Sequence, residues 1–268
     1  MSALAAKILL APMFVIAASL TARRYGARIG GLVGGLPVVA GPILLVFALD
    51  HGPTFAAGAA AGTLLGLVSL LAFVMVYARL ASHLNWAASL ILGWGAFFVM
   101  TAALSAVTLG PDPALAVVIV AIGLTLLVLP QAQGEPPNLV RLPAWDLPLR
   151  GLSALALVLA LTAVAGQLGP KLSGLLAPFP VITSVLAVFT HAQHGERELR
   201  LIMRGLVLGL VAYALFCFVL AVSLEALGTA EGFLLATLAA LATQAVALTV
   251  TWRRRGLAAE PEPAADPL

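Results

Sequence analysis

The residues best suited to chemistry in this chain are ones that break a helix. Prolines and glycines interrupt long uncharged apolar runs in two places, Gly34-Gly35-Leu36-Pro37-Val38-Val39-Ala40-Gly41-Pro42 and Leu176-Ala177-Pro178-Phe179-Pro180-Val181-Ile182-Thr183-Ser184. Proline lacks an amide donor and clashes with the preceding helical turn, so carbonyls beside it lose their partners. In lipid those groups must find partners inside the protein or in a water-filled cavity. Pro37, Gly41, Pro42, Pro178 and Pro180, with the hydroxyls of Thr183 and Ser184, are therefore candidates to bind a solute. The competing reading is a kinked packing helix. Thr101 and Gln244 are a further candidate pair deep in two other apolar runs. A buried glutamine needs a partner, which is either a neighbouring helix or the substrate.

Other chemistries are poorly provided for. No Asp or Glu falls in the middle of an apolar run, so coupling through a buried carboxylate is disfavoured. His51 and His194 end their runs on opposite sides of the membrane, which prevents them from sharing a metal ion and makes them interfacial caps. Cys217 is the only cysteine, so neither a disulfide nor a cysteine metal site can form. With no Ser-His-Asp arrangement on a common membrane face and no phosphate-cradling loop, no enzyme activity, cofactor or metal is expected.

These residues sit on elements that the composition defines. The 268 residues are 62% hydrophobic and 9% charged, against about 45–50% and 25% in soluble domains. A water-soluble globule is excluded. The 14 basic residues lie in short clusters and form no continuous basic face, so nucleic acid is not a partner. A membrane helix needs about 20 apolar residues. Nine stretches qualify, near residues 3–22, 29–49, 54–78, 86–109, 113–130, 149–168, 172–191, 202–224 and 230–252. Barrel strands are excluded, because they are shorter and alternate in polarity.

An internal repeat organises the nine spans. A gapless shift of 143 residues aligns Gly26 with Gly169, Gly31 with Gly174, Pro37 with Pro180, His51-Gly52 with His194-Gly195, Gly62 with Gly205, Gly66 with Gly209 and Phe73 with Phe216. Residues 1–110 form repeat one (spans one to four) and 148–255 form repeat two (spans six to nine). Residues 111–147 supply a linking fifth helix with a cytoplasmic loop, and 256–268 are an acidic, proline-rich tail expected to be disordered. Because span one has a counterpart inside the chain, it is a retained span and not a signal peptide. The unpaired fifth helix inverts the second repeat relative to the first.

Charge sets the orientation, since cytoplasmic loops retain Lys and Arg. With nine spans, all twelve arginines fall on one side, and Lys7 and Lys171 fall on the other. The N-terminus is thus expected outside and the C-terminus in the cytoplasm. Gly58, Gly62 and Gly66, and Gly205 and Gly209, form small-residue faces that permit close helix packing.

The second repeat carries Leu-Ala-Pro-Phe-Pro-Val-Ile-Thr-Ser from Leu176 to Ser184, Thr190-His191, Gly195-Glu196-Arg197 and Leu199-Arg200. This resembles the GlpM-like family of small bacterial inner-membrane proteins, over about residues 172–250. The resemblance implies two fused four-helix units in a bacterial inner membrane. The first repeat departs from it, reading Gly-Gly-Leu-Pro-Val-Val-Ala-Gly-Pro from Gly34 to Pro42. Inverted repeats with interrupted helices characterise many transporters. The expected protein is an all-α, polytopic permease for a small neutral or anionic solute, bound between spans two and seven. The alternatives are a non-transporting accessory protein of envelope biogenesis and a lipid flippase. Expected partners are the bilayer, a small-molecule substrate and, as an option, further copies of the chain.

Overall fold

The computed structural model describes residues 3–132, 145–165 and 170–258. Its elements are all helices: α1 (Ala3–Tyr25), α2 (Ala27–Gly34), α3 (Ala40–His51), α4 (Pro53–Leu80), α5 (Trp86–Ser105), α6 (Pro111–Val128), α7 (Asp146–Ala165), α8 (Pro170–Leu176), α9 (Val181–Leu227) and α10 (Thr229–Ala258). Uninterrupted apolar sequence favours this outcome, because a helix satisfies its own backbone without water. Pro53 and Pro111 open α4 and α6 at the first position, where a missing amide costs nothing. The Asn85 side chain caps α5 by accepting the Ala88 amide at 2.9 Å.

Glycines end helices without loops. Gly26, Gly52, Gly195 and Gly228 have φ of 92°, 87°, 76° and 86°, a region that side chains with a Cβ rarely enter. Gly195 lies inside α9, whose 47 residues would run about 70 Å if straight, over twice the hydrocarbon thickness. The helix instead doubles back. A Cβ on Gly34 would lie 3.0 Å from Leu186 and 3.9 Å from both Ile182 and Leu206, which belong to the two arms of α9 on either side of Gly195.

Two expected spans are revised. The stretch 29–49 is two helices, α2 and α3, and 172–191 is α8 followed by the first arm of α9. The interruptions fall at Pro37 and at Pro178–Pro180. The polar run 192–201, expected as a loop, is helical apart from Gly195. α10 continues to Ala258, so residues 256–258 are helical, and the rest of the expected disordered tail lies outside the described residues. Most of the cytoplasmic loop (133–144) also lies outside them.

The packing has a centre and a rim. In α4 72% of the most apolar window is buried, whereas α5, α6 and α10 bury 22%, 22% and 17%. The outer helices turn Ile91, Val99, Leu127, Leu238 and Val246 outward. Apolar surface of that extent belongs against lipid. Among the described residues, five helical segments, Pro53–Leu80, Trp86–Ser105, Pro111–Val128, Lys171–Leu227 and Thr229–Thr251, are long and apolar enough to cross a membrane. The protein is an all-α membrane protein.

Glycine contacts lock the centre. A Cβ on Gly31 would lie 2.0 Å from the Ile202 carbonyl oxygen, and one on Gly174 would lie 2.4 Å from that of Ala59. Gly205 meets Arg28 O at 1.9 Å and Gly62 meets Lys171 O at 3.0 Å, while Gly209 meets Leu32 O at 2.4 Å and Gly66 meets Leu175 O at 2.6 Å. Adding 143 to the residue in α2 and subtracting 143 from its partner in α9 turns each α2·α9 contact into an α4·α8 contact. Gly62, Gly66, Gly205 and Gly209 are thus close-packing positions. Gly58 is not, for a Cβ there meets nothing within 4 Å.

Polar side chains fasten the ends. Asp146 accepts from Arg23 of α1, from Arg150 Nε at 2.9 Å and from Gln193 Nε2 at 2.5 Å. Arg150 also donates to Gln193 Oε1 at 2.8 Å and lies over the Phe189 ring. Arg204 donates to the Leu129 carbonyl at 2.8 Å. Lys171 instead joins the C-terminal end of α5, donating to Ser105 O at 2.7 Å and Thr108 Oγ1 at 3.2 Å.

Candidate functional site

Each interruption is a small structured turn. Across Pro37 the Val38 amide donates to Leu36 O at 2.8 Å, and across Pro180 the Val181 amide donates to Phe179 O at 2.7 Å. Pro180 has φ −73° and ψ 54°, the inverse γ-turn geometry that proline's fixed φ prepares. The next helix then starts from the proline carbonyl, with Gly41 N to Pro37 O at 2.8 Å and Ser184 N to Pro180 O at 2.7 Å. The donors and acceptors of the two turns correspond at the offset of 143.

The carbonyls expected to be free are largely taken. Gly31 O and Leu32 O accept the Gly35 amide, Val33 O accepts Leu36, and Ser173, Gly174 and Leu176 accept Ala177 or Phe179. Gln244 Nε2 adds a 2.8 Å bond to Leu32 O.

The two turns share one cavity of about 30 Å³, room for a few water molecules. Much of its wall comes in pairs at the same offset: Leu36 with Phe179, Val39 with Ile182, Ala40 with Thr183, and Leu70 of α4 with Tyr213 of α9. No charged side chain among the described residues lines it.

The sequence candidates distribute unevenly around this space. Pro178, Pro180 and Thr183 line it. Ser184 is one residue on, buried, and its Oγ accepts from Trp94 Nε1 at 2.9 Å. The Trp94 ring packs on Phe179 with centroids 5.7 Å apart. Pro37 forms the first turn without lining the cavity, and Pro42 sits in the first turn of α3. Gly41 faces Phe216, which a Cβ would meet at 3.6 Å, an ordinary contact. Thr101 is engaged elsewhere, donating to Ser69 Oγ at 2.9 Å between α5 and α4. Gln244 braces α2 from α10 and leaves its buried Oε1 unpaired among the described residues. His51 stacks near Phe55, with centroids 4.6 Å apart, at the end of α3.

Sequence reasoning missed Tyr213, Leu70, Leu36, Phe179 and Trp94. Four of them carried a signal, because Leu70 pairs with Tyr213 and Leu36 with Phe179 at 143 residues. In comparisons with protein-family models, curated proteins and solved structures, nothing matches this chain.

Proposed function

We propose that the protein is a bacterial inner-membrane permease built from two inverted four-helix repeats, and that the shared cavity is its solute site. One observation carries the reading: the cavity is walled by equivalent residues of both halves, at the point where two helices are broken. The exchanged glycine contacts support a two-fold relation between residues 28–66 and 171–209. The two breaks are entered from opposite ends, α2 from the end that holds Arg23 and α8 from the end that holds Lys171, which supports inversion over a parallel duplication. Under this reading the arginine-rich end is cytoplasmic, and the chain is a fused tandem of GlpM-like units. Solutes handled this way are small and either neutral or anionic, for no acidic side chain among the described residues lines the cavity to neutralise a cation. A cavity of this size does not suit the acyl chain that a flippase would carry.

Alternating access is the testable content. Cys217 is fully buried and can be replaced by alanine, after which single cysteines are placed at Leu36 and Phe179. In vesicles, a small membrane-impermeant thiol reagent is expected to modify both positions from either side, while a control cysteine at Ile91 on the lipid face stays unmodified. A folded protein unreactive at Leu36 and Phe179 from both sides would favour the accessory, non-transporting alternative.

A further inference from the structure

The backbone around the cavity is unbalanced in a way that selects the ligand. In each break the amides that follow the turn have no acceptor among the described residues: Val39 and Ala40 at the start of α3, Ile182 and Thr183 at the start of α9. All four residues line the cavity. Orphaned buried amides are rare, rarer than under-satisfied carbonyls. Both helices are long enough to carry a dipole, 12 residues in α3 and the arm 181–194 of α9, and both present their positive ends here. The opposing ends of α2 and α8 are blunted, since their last-turn carbonyls already accept turn amides and Gln244.

A second feature is independent of the helix ends. Thr183 and Tyr213 also line the cavity and are 4% and 6% exposed. Neither hydroxyl is bonded to a described residue, and neither is among the buried polar atoms sealed from free space. Two hydroxyls on buried side chains, without partners among the described residues, thus join four backbone amides that also lack acceptors there. Among the described residues, no lysine, arginine or histidine lines the space.

We propose that the cavity binds a small monovalent anion, of halide or formate size, through the amides of Val39, Ala40, Ile182 and Thr183 and the hydroxyls of Thr183 and Tyr213. The proposal deepens the permease reading and rests on it for the site's accessibility. Binding uses neutral donors, so the ion is held by hydrogen bonds and helix ends without a salt bridge. That suits a transported ion, which must leave as well as enter. Charge sign is the discriminating property, because the carbonyls of Gly34 and Ala177 also lack backbone donors among the described residues and would serve a cation.

Trp94 provides the probe, since its indole donates to Ser184, the neighbour of Thr183. The full-length protein is titrated at constant ionic strength with sodium fluoride, chloride, nitrate or formate replacing sodium gluconate, whose anion is too large for the cavity. A saturable change in tryptophan fluorescence is expected for at least one small anion and is expected to vanish in Trp94→Phe. Thr183→Val and Tyr213→Phe, which keep shape and remove a hydroxyl, should each weaken the apparent affinity roughly tenfold. Exchanging sodium for potassium or choline in gluconate should have no effect. A saturable response to the cation and none to any anion overturns the proposal, as does anion affinity unchanged in both hydroxyl variants. Cysteines at positions 36 and 179 that label from both sides in a protein indifferent to anions would sink the anion site and leave the permease. Anion binding without two-sided labelling would do the reverse.

Discussion

Among the described glycines, the shortest distance that an added Cβ would make sets up a graded test of how the helices hold together. Replacing Gly205 by alanine puts a Cβ 1.9 Å from the Arg28 carbonyl oxygen and 2.8 Å from its carbon. Side-chain carbons essentially never come within 3.0 Å of such atoms, so α9 and α2 must separate by about 1 Å at that point. The obstructing atom is helical backbone and cannot rotate aside. Overpacking costs roughly 1–3 kcal/mol where a core can adjust, and a rigid backbone contact belongs at or above the top of that range. We expect Gly205→Ala and Gly31→Ala each to lose about 3 kcal/mol, a factor of roughly a hundred in the folding constant. Gly62→Ala, whose Cβ would sit 3.0 Å from Lys171 O and 3.3 Å from Gly174 Cα, should lose about 1 kcal/mol. At Gly58 the space is open, and alanine's better helix propensity should stabilise by up to about 1 kcal/mol. Unfolding of the purified variants in mixed micelles titrated with sodium dodecyl sulfate, followed by circular dichroism, gives the order directly. A Gly205→Ala protein as stable as Gly58→Ala, or a Gly62→Ala protein weaker than Gly205→Ala, would refute the reasoning.

Three further outcomes follow from the polar contacts and charge distribution. Asp146 lies at the start of α7, just before the apolar stretch. Burial pushes its carboxyl up, but hydrogen bonds from Gln193 and Arg150 and the charges of Arg150 and Arg23 outweigh this and hold it below the usual carboxylate range. The folded state therefore favours the carboxylate more than the unfolded chain does, so this stabilisation is complete above about pH 4 and is lost as pH falls below it. Asp146→Asn, which leaves the Arg150 side chain only 5% exposed and unneutralised, should cost about 3 kcal/mol at neutral pH and flatten that acid limb in thermal melts. Arg23 is 35% exposed, and Arg23→Gln should cost under about 1 kcal/mol. For Thr101 and Ser69, a double-mutant cycle with Thr101→Val and Ser69→Ala should return a coupling of about 0.6 kcal/mol, and additive losses would show that the hydroxyls do not cooperate. A reporter active only in the cytoplasm should work when fused after Arg255 and fail when inserted after Gly52, and the opposite pattern would overturn the proposed orientation.

Much of the architecture follows from sequence alone because its causes are local. Long uncharged runs must be helical where no water can satisfy a backbone, and proline has no amide wherever it stands, so the breaks at Pro37 and Pro180 were legible. The pairing of Gly31, Gly62 and Gly66 with Gly174, Gly205 and Gly209 also lay open at a single offset. What those glycines touch was not legible. That α2 crosses the second arm of α9 while α8 crosses α4 depends on contacts between distant segments, as does the meeting of two breaks around one cavity. Equivalent residues accordingly take different work: Thr101 bonds Ser69 across two neighbouring helices, whereas Gln244 reaches Leu32 on a helix 212 residues away. Asp146 finds Arg23 at 123 residues and Gln193 at 47. Which amides stay unpaired was likewise a tertiary outcome. Local composition showed that the backbone must break, but the turns that consumed the carbonyls and spared the amides of Val39, Ala40, Ile182 and Thr183 are properties of the folded breaks. Helix formation is decided residue by residue, and the chemistry of a cavity is decided by whichever groups the packed helices leave without a partner.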